Sequence, residues 1–197
     1  MVNFVKKTLW FRLIICYIFA MVMIFLLLNT YGTNYLEKRL KRDKTDLLLS
    51  EAGLISSEYM SGFYNDKLTL SSLSTQLRSI DKFLNIRIWI VNTDGVIFSD
   101  SAGNGSAINR NINEMNPHFF DNNVSEGAKF EGIFTEPMLS VYEPISYNLR
   151  IRGYIVLHSS LKEITNEANI YLNLINLCFL VFLPLLFLIF LYIYYIT

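Results

Sequence analysis

Arg87-Ile88-Trp89-Ile90-Val91-Asn92-Thr93-Asp94-Gly95-Val96-Ile97-Phe98 decides how this chain is read. Ile86, Ile88 and Ile90 alternate with Arg87, Trp89 and Val91, the period of two that sends successive side chains to opposite faces of a strand. Thr93-Asp94-Gly95 interrupts the pattern, and Val96-Ile97-Phe98 resumes it. An Asp-Gly pair between two such runs predicts a hairpin, both residues tolerating the positive φ that lets the strands return with matching twist.

Downstream, residues 100–127 are rich in Gly, Asn and Ser. These side chains compete with regular backbone bonding, so the segment is expected to form loops with a short helix near 113–120. Three further strands are predicted over 130–135, 138–145 and 152–158. Glu136-Pro137 separates the first two and Tyr147-Asn148-Leu149-Arg150 the last two. Pro144 has no N–H for a ladder, which assigns it to an edge or a strand end.

Upstream, Leu70, Leu73, Leu77 and Ile80 form a helical stripe. Residues 31–64 lack proline and also read as helix, with Leu40, Leu47 and Leu54 every seven residues and Leu36, Leu48 and Ile55 nearby. Asp43, Ser50 and Ser57 make the intervening heptad positions polar, so the stripe suits packing on the chain's own domain better than a strong coiled coil.

At the far end, Ser160-Leu161-Lys162-Glu163 has capping-box spacing, in which serine and glutamate each satisfy a free backbone donor. Leu161, Ile164, Ala168, Tyr171 and Ile175 then continue one apolar face with no Gly or Pro between them, so the last strand is expected to leave through a single helical rod. Asn173 and Asn176 near its membrane entry either bond across helices or sit solvated at the interface.

Two apolar runs bracket everything described so far. Residues 13–28 carry no charge, and residues 170–196 have no ionised side chain. About 20 apolar residues span a hydrocarbon core of roughly 30 Å, and the first run reaches that length when Leu9, Trp10 and Phe11 join it. Leu28-Asn29-Thr30-Tyr31-Gly32 offers no small-residue cleavage site, which argues against a removable signal peptide. Arg12 can snorkel to the headgroups, and Trp10, Tyr31, Tyr171, Tyr192, Tyr194 and Tyr195 stand where interfacial aromatics belong. The organisation expected is a tail over 1–8, a first span over 9–30, an outer domain over 31–169 and a second span over 170–196.

Lys6, Lys7 and Arg12 favour a cytoplasmic N-terminus, whereas Lys38, Arg39, Lys41, Arg42 and Lys44 pull the other way. A loop well beyond about 60 residues translocates largely regardless of its charge, so the short tail decides and 31–169 is expected outside a bacterial plasma membrane. Cys16 and Cys178 both lie in the spans, leaving the outer domain without cysteine.

Lys and Arg total 17, as do Asp and Glu, for a formal charge of zero. The bases crowd into 38–44 and acids outnumber them beyond Thr45, which leaves no nucleic-acid footprint; the basic stretch is a solvated helix face or lies against anionic headgroups. No phosphate loop, zinc-protease motif, paired-cysteine metal site or nucleophile elbow occurs, so no catalytic residue, metal or cofactor is assigned. Gly103-Asn104-Gly105 reads as a turn, because no strand-to-helix context follows it.

The segment from Trp89 to Ser101, together with Met138-Leu139-Ser140-Val141-Tyr142-Glu143-Pro144-Ile145 and Gly153-Tyr154-Ile155-Val156-Leu157, resembles the extracytoplasmic PAS-like or Cache sensor domains of bacterial sensor histidine kinases. The resemblance covers almost the whole chain and implies an α+β fold: an antiparallel sheet with a long N-terminal helix, flanked by two transmembrane helices. It also implies a homodimer, a small-molecule or protein stimulus, and a cytoplasmic kinase and response regulator beyond residue 197. The ending Tyr195-Ile196-Thr197 suggests a truncated sensor portion.

A loop half covering the sheet would leave a pocket on which polar groups at strand ends converge. Arg87, Asp100, Arg110, His118 and Tyr142 are the candidate ligand-binding residues, against the alternative that Arg87 and Asp100 form an ordinary surface pair. His118 and His158 lack the acidic context of a phosphoacceptor helix and read as ordinary loop and strand-end histidines. Three functions stay open: sensor of a histidine kinase, sensor of a chemoreceptor or cyclic-dinucleotide enzyme, and a two-span membrane scaffold. A stop codon after Thr197 favours the scaffold, and a linker with a His-containing helix establishes the kinase.

Overall fold

The computed structural model describes residues 2–65, 68–103, 105–130 and 132–196. Asn104 and the side chains of Trp10, Leu70 and Tyr194 lie outside the described residues. The chain is α+β and divides into two compact units, residues 40–164 and the two helical ends, 1–39 with 165–197.

The first unit is built on a five-stranded antiparallel sheet. In chain order the strands are β1 (Arg87–Asn92), β2 (Ile97–Asp100), β3 (Val124–Ala128), β4 (Met138–Tyr147) and β5 (Arg150–Ser160), and in space they run β2-β1-β5-β4-β3. The period-two pattern does what it predicts. Ile88, Ile90, Ile155, Leu157, Leu139 and Val141 face one side, where they bury against helices α1 (Val2–Leu54), α2 (Met60–Tyr64) and α3 (Leu70–Leu84). Trp89, Val91 and Val156 face the other and are covered by the segment that holds the short helix α4 (Ile112–Met115), through Ala107, Ile112, Phe119 and Phe130.

The β1–β2 hairpin forms with a turn unlike the one expected from Asp-Gly. Gly95 alone has positive φ, at 86°, and Asp94 does not. Asn92 and Val96 close a three-residue loop, in which the Gly95 amide donates to the Asn92 carbonyl and the Asn92 side chain accepts from the Asp94 and Val96 amides. Asn92 thus supplies the local bonding that a second left-handed residue would have supplied. Gly153 is required for another reason: it faces Asn92 across the β1–β5 ladder, and a Cβ there would collide with the Val91 carbonyl.

Three expectations need correction. The strand expected over 130–135 does not form among the described residues: the Ile133 amide donates to the Phe130 carbonyl, and Phe130 and Phe134 are drawn together into the aromatic cluster under the sheet. The strand paired with β4 is instead β3, from the stretch read as loop, held by the Val124–Val141 register. The core takes Leu48 and Ala52 of α1 and Ile55 directly after its end, whereas Leu47 and Leu54 are 40% and 44% exposed. These positions follow one another in steps of four and three, which keep one face of a 3.6-residue helix toward the core, and Leu47 and Leu54 lie about 100° round from that face.

The helix α5 (Leu161–Ile196) starts on half of the expected capping box. The Glu163 amide donates to Ser160 Oγ at 3.4 Å, but the Glu163 carboxylate accepts from Asn85 Nδ2 at 2.8 and 2.7 Å. Asn85 is the left-handed C-cap of α3, so the end of one helix holds the first turn of another.

The second unit pairs the outer parts of α1 and α5, the two helices long and apolar enough to cross a membrane. Asn29 and Asn176 exchange amide hydrogen bonds at 3.2 and 3.0 Å, and Tyr17 donates to the Leu183 carbonyl at 2.6 Å. Asn176 therefore bonds across helices, while Asn173 stays exposed. Within this unit Ala168 and Leu172 are buried, whereas Tyr171 and Ile175 of the expected stripe are largely exposed.

Candidate functional site

Alternation along three neighbouring strands gathers the polar groups of the outer sheet face. Arg87 on β1 and Ser140 on β4 both pair in register with His158 on β5, so the three side chains form one cross-strand row. The next row on the same face is Trp89, Val156 and Tyr142.

Arg87 grips Asp100 in a two-pronged ion pair, Nε to Oδ1 at 2.9 Å and Nη2 to Oδ2 at 2.6 Å, and also donates to Ser106 Oγ at 2.9 Å. The Asp100 side chain is fully buried and that of Arg87 is 15% exposed. This excludes the ordinary surface pair, since a desolvated carboxylate needs its cation and fork geometry supplies it. The guanidinium also lies over Phe134 at 5.2 Å and Trp89 at 5.8 Å.

His158, read from sequence as an ordinary strand-end residue, is fully buried on this face, as is Ser140. Its ring packs on Trp89, Phe134 and Phe130 with centroids 4.1, 4.9 and 5.1 Å apart. Nδ1 shares a 2.7 Å hydrogen bond with Ser140 Oγ. Nε2 is buried with no hydrogen-bond partner among the described residues, and Trp89 Nε1 is in the same condition. Burial first, and then the Arg87 charge, push the imidazole well below its ordinary value of 6.5, so it is neutral.

A cleft of about 540 Å³ opens beside this row, between the C-terminal half of α3, the start of β1, the 101–103 turn and the first turn of α5. Arg78, Lys82 and Arg87 line it together with Asp81, Glu163 and His158. Asp81 accepts from Ser101 Oγ at 2.6 Å.

The five residues singled out from sequence do not all meet. Arg87 and Asp100 come together. Tyr142 lies on the same sheet face but belongs to the cluster of Phe119, Phe120 and Tyr154, donating to the Phe120 carbonyl at 2.8 Å; burial first, then neighbouring Tyr154 and two carboxylates, raise its phenol above the ordinary 10.0. Arg110 is exposed, its guanidinium beside Gly132. His118 is exposed, paired with Asp121 at 3.0 Å. Arg78, Lys82 and Asp81 were missed because charged residues set between the apolar positions of a helix read as solvation. A lone His in an apolar strand was the one signal that could have marked His158.

The sequence matches no protein-family model and no curated protein. Among solved structures the chain is similar to the sensor domain of the histidine kinase DctB of V. cholerae, at 16% identity and a TM-score of 0.54 over 73% of this chain and 58% of that one. It is also similar to the ligand-binding domain of the C. jejuni chemoreceptor Tlp3 in complex with L-valine, at 10% identity and a TM-score of 0.47 over 76% of this chain and 66% of that one. The chain thus spans under two thirds of the DctB sensor domain.

Proposed function

We propose that this chain, a PAS-like/Cache sensor fold set between two apolar helices, is the sensor and transmembrane part of a two-component histidine kinase that carries an external stimulus to a cytoplasmic kinase and its response regulator. The observation that carries this reading is the exit of the sheet. Its last strand, β5, runs without a break into α5, the helix whose outer part is apolar enough to span a bilayer. The fold shared with a histidine kinase sensor domain supports the output chosen.

In this reading residues 31–169 lie outside the plasma membrane and the stimulus biases two arrangements of the sensor unit. It can shift them only by its difference in affinity for the two. Arg87 and Asp100 border the ligand site; Tyr142 lies farther along the same sheet face on β4, and Arg110 and His118 on the covering segment. The receptor works as a homodimer, supported by the Leu47 and Leu54 side chains left exposed on α1 at heptad spacing.

Single cysteines introduced at Leu47, Ser50 and Leu54 test it. Disulfide crosslinks between copies are expected, with yields that change on addition of an active stimulus; a monomeric, invariant pattern overturns the mechanism.

A further inference from the structure

We propose that the cleft beside His158 binds a small oxyanion, a carboxylate or phosphate group, and that this ligand touches the first turn of the exit helix. This deepens the receptor reading and rests on it for any consequence inside the cell, but not for binding itself.

Three observations converge on the cleft. Its lining carries Arg78, Lys82 and Arg87, the last held by Asp100, beside the carboxylates of Asp81 and Glu163. Both carboxylates already accept hydrogen bonds, Asp81 from Ser101 and Glu163 from Asn85. Arg78 and Lys82 extend from one face of α3 four residues apart, the spacing that brings side chains together on a helix. The floor includes His158, fully buried, whose Nε2 has no partner among the described residues.

The neutral ring fits an acceptor ligand. In the tautomer this proposal assigns, Ser140 Oγ donates to Nδ1 and the proton resides on Nε2, a buried donor with no acceptor among the described residues. An unmet buried donor is costly, and a ligand oxygen that receives it recovers that cost while the two α3 cations balance its charge. Glu163 lines the same cleft, so the ligand's presence is felt at the Asn85–Glu163 bonds that hold the first turn of α5. The aromatic groups under the sheet fill its face, which leaves this opening at the strand ends as the place for the charge.

Trp89 reports occupancy, because its ring lies 4.1 Å from that of His158. In the full chain carrying Trp10→Phe, Trp89 is the remaining tryptophan of two. Reconstituted in nanodiscs of zwitterionic lipid, this protein is titrated with sodium phosphate and with sodium acetate, sodium chloride holding ionic strength constant. A saturable change in Trp89 emission is expected with at least one of the two, and the arm that responds assigns phosphate or carboxylate. Arg78→Ala with Lys82→Ala, both exposed positions that leave the core intact, is expected to weaken the apparent affinity about tenfold or more, the worth of lost charge-assisted bonds.

No saturable change with either anion, in protein whose circular dichroism and melting are unaltered, overturns the proposal. So does a response that the double variant retains in full. Crosslinking through Leu47 and Leu54 is read in the same samples: binding without a change in crosslinks keeps the site and removes the receptor mechanism, and crosslinks that respond to another stimulus without oxyanion binding do the reverse.

Discussion

At the scale of the residue, the outer sheet face is decided by two buried groups with opposite needs. Asp100 requires its cation. Arg87→Met alone strands a buried carboxylate, and a loss of about 3–5 kcal/mol is expected in chemical denaturation of the full chain in detergent, whereas Arg87→Met with Asp100→Leu should recover most of it. Equal losses in the single and double variants would show that packing, not charge, dominates. His158 requires neutrality. Its folded-state value lies below the unfolded 6.5, so the unfolded chain binds the extra proton and stability falls as pH drops below about 6.5 toward the depressed folded value. The slope due to this one proton is about 1.4 kcal/mol per pH unit. Melting measured between neutral pH and pH 5 should therefore decline more steeply in the parent than in His158→Asn, which keeps a partner for Ser140; parallel declines would remove His158 as the cause.

At the scale of the element, the hairpins show how differently turns are solved. The β1–β2 loop uses Asn92 and one glycine, while the β4–β5 turn places both Asn148 and Leu149 at positive φ, 51° and 60°. Two such residues match the twist of the flanking strands, and asparagine tolerates the conformation, but leucine crowds its Cβ against the backbone. The Leu149 side chain is fully exposed and packs on nothing that would be lost. Leu149→Gly is expected to raise stability by about 1 kcal/mol, seen as a higher melting temperature. Unchanged or lower stability would mean that the hairpin stores no strain there.

At the scale of the whole molecule, the proposed receptor function depends on which side of a bilayer residues 45–160 face. Cysteines placed one at a time in exposed positions of residues 45–160, in a chain with Cys16→Ser and Cys178→Ser, should react with a membrane-impermeant maleimide added to intact cells. Labelling only after lysis would place the sheet inside and end the receptor reading.

Periodicity and turn chemistry alone determined much of this protein. The β1–β2 hairpin, the β4 and β5 strands, the helical runs and the two apolar segments all follow from side chains whose spacing matches a local backbone period. Tertiary structure decided what local spacing cannot carry. It chose Leu48 over Leu47 on α1, made a strand of residues 124–128 and a turn at Gly132 and Ile133, and turned Glu163 from its own cap to Asn85. It also brought Arg87, Asp100, Ser140 and His158 together from four strands. Each is an outcome of burial and pairing between segments far apart in the chain, and such choices are fixed only when the sheet closes on its helices.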